Sequence, residues 1–162
     1  MQKLLNSSTE FDSRANLFYY FYLFEAMQQT GVGNFTQELQ PWQDIVAMGM
    51  SATPEKRIEQ HPRSEVHPWT AHPVHFYFSL VAGIRPTSPG FKTVNIAPQP
   101  GSLKTVRAAY PTKQGAINVD LQFTEEEVVG SVILPPGMSG MFSWQEQQIE
   151  LLTGKSDIRL IY

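Results

Sequence analysis

The chain changes texture once, at Ile84, and that change limits its fold more than any single motif does. Before it, apolar residues recur at three- and four-residue intervals, the spacing of helices with a buried face. From it, IRPTSPGFKTVNIAPQPG is too dense in Pro and Gly for a helix to persist. Seven short runs of β-formers follow: FKTVNIAP, LKTVRAAYP, GAINVDLQF, VVGSVILP, MFSWQ, QIELLT and DIRLIY. Lys113-Gln114-Gly115, Pro136-Gly137 and Thr153-Gly154-Lys155 supply turns between some of them. Strands at this spacing predict an antiparallel β-sandwich. The expectation is an α+β chain, with helices over residues 1–84 and a β-sandwich over residues 85–162.

The helical part is itself uneven. Residues 1–12 are polar, and Asp12 or Ser13 is placed to cap a helix. LFYYFYLFEAM, residues 17–27, carries Glu25 as its only charge. Its aromatic residues favour a strand, but its length and the EAMQQ continuation favour a helix ending at Gly31. A helix that is apolar all round is buried on most sides, so this one needs more partners than the chain offers. Asn34 or Thr36 can cap a second helix, which carries Phe35, Leu39, Trp42, Ile45, Val46 and Met48 and stops at Gly49. Pro41 either kinks it or sits in its first turn. A third helix opens near Thr70, with Pro73 in its first turn. It carries Val74, Phe76, Tyr77, Leu80 and Val81 and ends around Gly83.

Composition excludes several classes of function. A net charge of −3 and a pI near 5.8 give no electrostatic attraction to nucleic acid or to an anionic membrane. Neither partner is expected. With no cysteine there is no disulfide or thiol chemistry. The N-terminal MQKLLNSSTEFDS lacks the apolar core of a signal peptide, and no apolar run reaches bilayer length. If Met1 is the true start, the expected location is cytoplasmic.

Chemistry is expected between the second and third helices. Residues 53–75, TPEKRIEQHPRSEVHPWTAHPVH, hold all four histidines, and a polar loop between rigid elements is where sites usually lie. His72 and His75 could share a helix face around a metal, with Glu65 or His67 as third ligand. The H-E-x-x-H spacing of a zinc hydrolase is absent, so ordinary buried or surface histidines are the better expectation, with no metal and no cofactor. Nucleophilic catalysis has less support, because GMSG at 137–140 lacks the G-x-S-x-G elbow. TGVGN at 30–34 follows no strand and reads as a helix–helix turn rather than a phosphate loop. Carboxylate chemistry remains. Glu55 lies in a loop of mixed charge with Arg57, Glu59, Arg63 and Glu65, ahead of His67 and Trp69. A lone loop glutamate is usually just solvated, but carboxylates, a hydrogen-bonding His or Arg and an aromatic platform are together the ingredients of a sugar site.

Four stretches of the chain resemble one family. FYLFEAMQQTG, PWQDIVAMGMSATPE, RSEVHPWTAHP and GIRPTSPGFKTVNIAPQPGSL are similar, in order and spacing, to the C-terminal end of bacterial α-L-rhamnosidases of the glycoside hydrolase family 78 type. The second matches a Gly-x-Thr-Thr-x-x-Glu motif, the third an Arg-Ser-Asp-Cys-His-Ala-Trp element, and the fourth the entry to the C-terminal β-sandwich. The resemblance implies an inverting glycoside hydrolase with an (α/α)6 barrel followed by a β-sandwich. It puts Glu55 on the general base and His67 on a histidine that contacts the rhamnose ring. Arg63 and Trp69 fall on flanking positions, for support or substrate contact. Departures are Ser51-Ala52 for paired threonines, Pro54 directly before the glutamate, and Glu65-Val66 for Asp-Cys. The family's general acid lies in an upstream part of the barrel that these residues do not match. The implied partner is a rhamnose-containing saccharide or glycoside. Cover for the apolar helix would come from upstream barrel helices or from a second copy of the chain. A non-catalytic carbohydrate-binding or assembly module is the alternative from another class.

Overall fold

The computed structural model describes residues 15–57 and 63–162. The expected cap at Asp12 or Ser13, and the loop residues Glu59 and His61, lie outside the described residues. The chain divides into a first compact unit that ends at Phe76 and a second that runs Tyr77–Tyr162.

In the first unit a single 3-10 turn, Leu17–Tyr19, leads into helix α1, Tyr20–Thr30. Gly31 ends it as expected, in the left-handed region at φ 68°, and its N–H donates to the Met27 carbonyl at 2.8 Å. Within this chain the helix is covered along one face. Tyr20, Phe24 and Met27 are buried along one face, while Tyr19 and Tyr22 are 52% and 53% exposed. Helix α2, Gln40–Ala47, follows a 3-10 turn at Gln37–Leu39. Pro41 sits in its first turn, where a missing N–H costs nothing. The approach to it is shaped by Asn34, whose Oδ1 accepts from the Thr36 N–H at 3.2 Å and the Thr36 hydroxyl at 2.7 Å. The third helical run begins earlier than expected. A 3-10 turn at Pro68–Ala71 precedes α3, Pro73–Phe76, because extended backbone at His67 lets Pro68 open the turn.

In the second unit a π turn, Tyr77–Val81, closes with the Ala82 N–H donating to the Tyr77 carbonyl at 3.0 Å. Gly83 then takes φ 72°, and a Cβ there would overlap the Ala97 carbonyl. The Ala97 N–H donates back to Gly83 at 3.0 Å, so backbone meets backbone where only glycine fits. Eight strands follow: β1 Ile84–Pro86, β2 Thr93–Ile96, β3 Thr105–Thr112, β4 Gly115–Phe123, β5 Glu127–Leu134, β6 Ser139–Trp144, β7 Gln147–Leu151 and β8 Gly154–Ile161. They form two four-stranded sheets, ordered β1-β2-β6-β7 and β3-β4-β5-β8. The α+β class is the one expected, and the two sheets are consistent with a sandwich.

Sheet register follows from alternation. Along β4, Ile117, Val119, Leu121 and Phe123 are buried at the period of a strand with one face inward. The β3–β4 hairpin turns on Lys113 and Gln114, with Thr112 opposite Gly115. Two features depart from the expectation. Strand β1 was not anticipated; it is three residues long and pairs Ile84 with Ile96 at the edge of its sheet, where Pro86 is tolerated. The antiparallel expectation fails at one place: β2 and β6 are parallel, Thr93 opposite Ser139. Between them the chain runs through β3, β4 and β5 in the other sheet, a connection long enough to allow parallel alignment.

Candidate functional site

The loop expected to carry chemistry is pinned by backbone hydrogen bonds. Glu55 N–H donates to Ser64 O at 2.9 Å, and His67 N–H donates to Thr53 O at 2.7 Å. Thr53 Oγ1 also donates to His67 O at 3.2 Å. Pro54 lies between these bonds, where it has no N–H to give and none is required. The His67 carbonyl accepts from the Thr70 N–H at 3.0 Å and the Thr70 hydroxyl at 2.7 Å. Trp42 of α2 donates its Nε1–H to the Thr70 carbonyl at 2.7 Å. The loop is therefore anchored to a helix through a buried threonine.

At the centre of this frame is Glu55. Its side chain is only 7% exposed, and both its oxygens are held by Arg63. Arg63 Nη2 donates to Oε1 at 2.6 Å and Nε donates to Oε2 at 3.2 Å, the two-pronged geometry that guanidinium and carboxylate planes favour. The Arg63 hydrogen bond lowers the Glu55 pKa below its ordinary value. Burial pushes the other way and is outweighed; the charges of Arg63, Lys56 and His67 lower it further. The result is a carboxylate that is nearly inaccessible and still ionised.

Its neighbours along the loop differ in exposure. The His67 ring is half-buried, 5.7 Å from the Phe18 ring, and its buried Nδ1 has no hydrogen-bond partner among the described residues. Trp69 is 53% exposed and meets Phe21 edge-on at 5.9 Å. Arg57 turns away from the loop to donate to the Tyr20 hydroxyl at 3.0 Å. Glu65 is exposed.

His72 and His75 occupy different settings. His75 is exposed. His72 is buried, with Phe21, Phe24, Trp42 and Phe76 rings at 5.4–5.9 Å. Its Nε2–H donates to the Leu17 carbonyl at 3.0 Å. Burial pushes its pKa down, so the ring is neutral. Sequence reasoning saw His72 as a helix-start residue and missed its burial within the aromatic core. The available signal was its four-residue spacing from Phe76, which puts both on one helix face.

Residues 83–158 match the family model described as bacterial alpha-L-rhamnosidase C-terminal domain. Among solved structures, the chain is similar to the Streptomyces avermitilis α-L-rhamnosidase complexed with L-rhamnose, with a TM-score of 0.60 at 16% identity over 74% of this chain and 15% of that one. It is also similar to the native α-L-rhamnosidase of Aspergillus terreus, with a TM-score of 0.61 at 17% identity over 74% and 16%. The GH78 family rhamnosidase of Bacillus sp. GL1 gives a TM-score of 0.58 at 22% identity over 82% and 16%. The chain spans only 14–16% of the length of the rhamnosidases it matches. No relative is found among curated proteins. At these identities the solved structures speak to fold, while the family model speaks to the second unit directly. Residues 83–158 are therefore similar to the bacterial α-L-rhamnosidase C-terminal domain, and the chain shares the fold of a part of these solved rhamnosidases.

Proposed function

We propose that the chain acts as the C-terminal portion of an inverting α-L-rhamnosidase, which hydrolyses terminal α-L-rhamnosyl residues. On this reading residues 1–84 are the end of an (α/α)6 catalytic barrel and residues 85–162 the C-terminal β-sandwich domain. Glu55 is the general base that takes a proton from the attacking water. His67 orients a hydroxyl of the sugar ring, and the exposed face of Trp69 packs on the substrate. The observation that carries this is the state of Glu55: a base must be ionised at working pH to accept a proton, and Glu55 is buried yet held anionic. An inverting enzyme sets its acid about 6.5–9.5 Å from its base, leaving room for the water. The acid is supplied by residues that these 162 do not include, so the chain is inactive by itself.

Glu55→Gln in an active rhamnosidase that carries this segment tests the base. The expected loss is about 10²–10⁴-fold in kcat, and near-full activity would remove Glu55 from that role. Rhamnose release from an aryl rhamnoside by the 162-residue chain, at an ordinary enzymatic rate, would overturn the need for a separate acid.

The second reading is a non-catalytic binding or assembly module, favoured by the exposed rings of Tyr19, Tyr22 and Trp69. Titration with L-rhamnose separates the two: saturable binding by a monomeric chain that never turns over a rhamnoside, alone or with the rest of a barrel, would favour the module.

A further inference from the structure

We propose that Arg63 is the positioning residue for Glu55, clamping its carboxylate in one orientation rather than contacting the sugar. This rests on the reading of Glu55 as the base and deepens it. Both prongs of the guanidinium are committed, Nη2 to Oε1 at 2.6 Å and Nε to Oε2 at 3.2 Å. A carboxylate offers about four lone-pair sites, so this pairing occupies one on each oxygen and leaves one on each for a water. The plane of the carboxylate, and with it the direction in which Glu55 can accept a proton, is set by Arg63.

The local backbone makes the clamp specific. The Glu55 N–H bond to Ser64 O, at 2.9 Å, ties the two residues' segments together immediately beside the side-chain pair. Arg63, one residue before Ser64, is thereby delivered opposite Glu55 despite a side chain that is 82% exposed. An exposed arginine on a surface carboxylate contributes little, since solvent screens the pair and both chains lose freedom. Here the carboxylate is 7% exposed and its orientation is already restricted by burial, so less order is lost on pairing. Lysine could supply the charge but not the parallel bonds. The clamp also explains how the base stays anionic with its side chain 7% exposed. The Arg63 hydrogen bond is the largest influence on the Glu55 pKa, with Lys56 and His67 as the other charges that act on it.

The test is an NMR titration of the side-chain carboxyl groups in the full 162-residue chain, with Glu55 assigned by Glu55→Gln. In the unsubstituted chain Glu55 is expected to titrate below the ordinary glutamate value. In Arg63→Gln its midpoint moves up, and in Arg63→Lys it moves part of the way. An unchanged midpoint in Arg63→Gln overturns the clamp. If Arg63→Gln does not fold, the unsubstituted chain still decides, because a Glu55 that titrates at or above the ordinary glutamate value overturns it as well. The outcome is separable from the base assignment. Full hydrolysis by a Glu55→Gln rhamnosidase, with the titration as expected, removes the base and leaves the clamp.

Discussion

Among the described residues, the first unit buries Glu55, Thr70 and His72 together with its aromatic core, whereas the second buries a set that is apolar but for Ser79. The difference follows from how each satisfies its backbone. The second unit pairs its strands in regular ladders, so its strand interior is filled mostly by Val, Leu, Ile and Phe, with Ser79 Oγ, Arg85 Nε and Trp144 Nε1 as buried polar atoms. The first unit has short helices and a long loop, and uses side chains to hold backbone in place: Trp42 on Thr70, Thr70 on His67, His72 on Leu17. A buried polar group without a partner is costly, so such an interior is harder to build. It is also the kind that can hold a carboxylate ready for chemistry.

The first unit is centred on one ring. Phe24 contacts the rings of Tyr20, Phe35, Trp42, His72 and Phe76, while Leu121 is one of many buried residues in the strands. Phe24→Ala is therefore expected to cost about 3–5 kcal/mol and to abolish the helical signal first. Leu121→Ala should cost about 2–5 kcal/mol, read as lost β structure in urea unfolding. Loss of the β signal before the helical one in Phe24→Ala would break the contrast. Trp42→Phe is a milder probe. It keeps most of the ring but leaves the Thr70 carbonyl without its donor, at an expected cost of about 1 kcal/mol. No measurable change would mean that the loop is not anchored through Trp42.

Solution pH should separate the units most gently. Glu55 and His72 both have folded pKa values below their ordinary ones. Their contributions are present above the unfolded values and fade as pH falls, through about 6.5 for His72 and then through the carboxylate range for Glu55. Tyr162 in the second unit is pushed up by burial, so its contribution is complete below the unfolded value and fades as pH rises past about 10. Acid should loosen helical circular dichroism before the β signal, and alkali should act on the β signal. The reverse order would dissolve the comparison.

Local features of the molecule could be read directly from the residues. The end of α1 at Gly31 and the hairpin at Lys113-Gln114 rest on backbone chemistry within a few positions. So do the seven strand runs after residue 90, whose alternation needs no knowledge of the partner strand. The resemblance singled out Glu55, His67, Arg63 and Trp69, but their surroundings could not be read in the same way.

Tertiary structure decided what joins distant positions or depends on which face is covered. The parallel pairing of β2 with β6 arises because β3, β4 and β5 pass into another sheet, which no local pattern records. His72 became a core residue because Leu17, fifty-five positions earlier, presents a carbonyl to its ring. Exposure of Tyr19 and Tyr22 depends on what packs against α1, and a run that is apolar on every side cannot say which face that will be. The pairing of Glu55 with Arg63 is likewise set by the Ser64 and Thr53 backbone bonds. Residue type by itself left Arg57 as good a partner for Glu55 as Arg63, until the fold sent Arg57 to Tyr20.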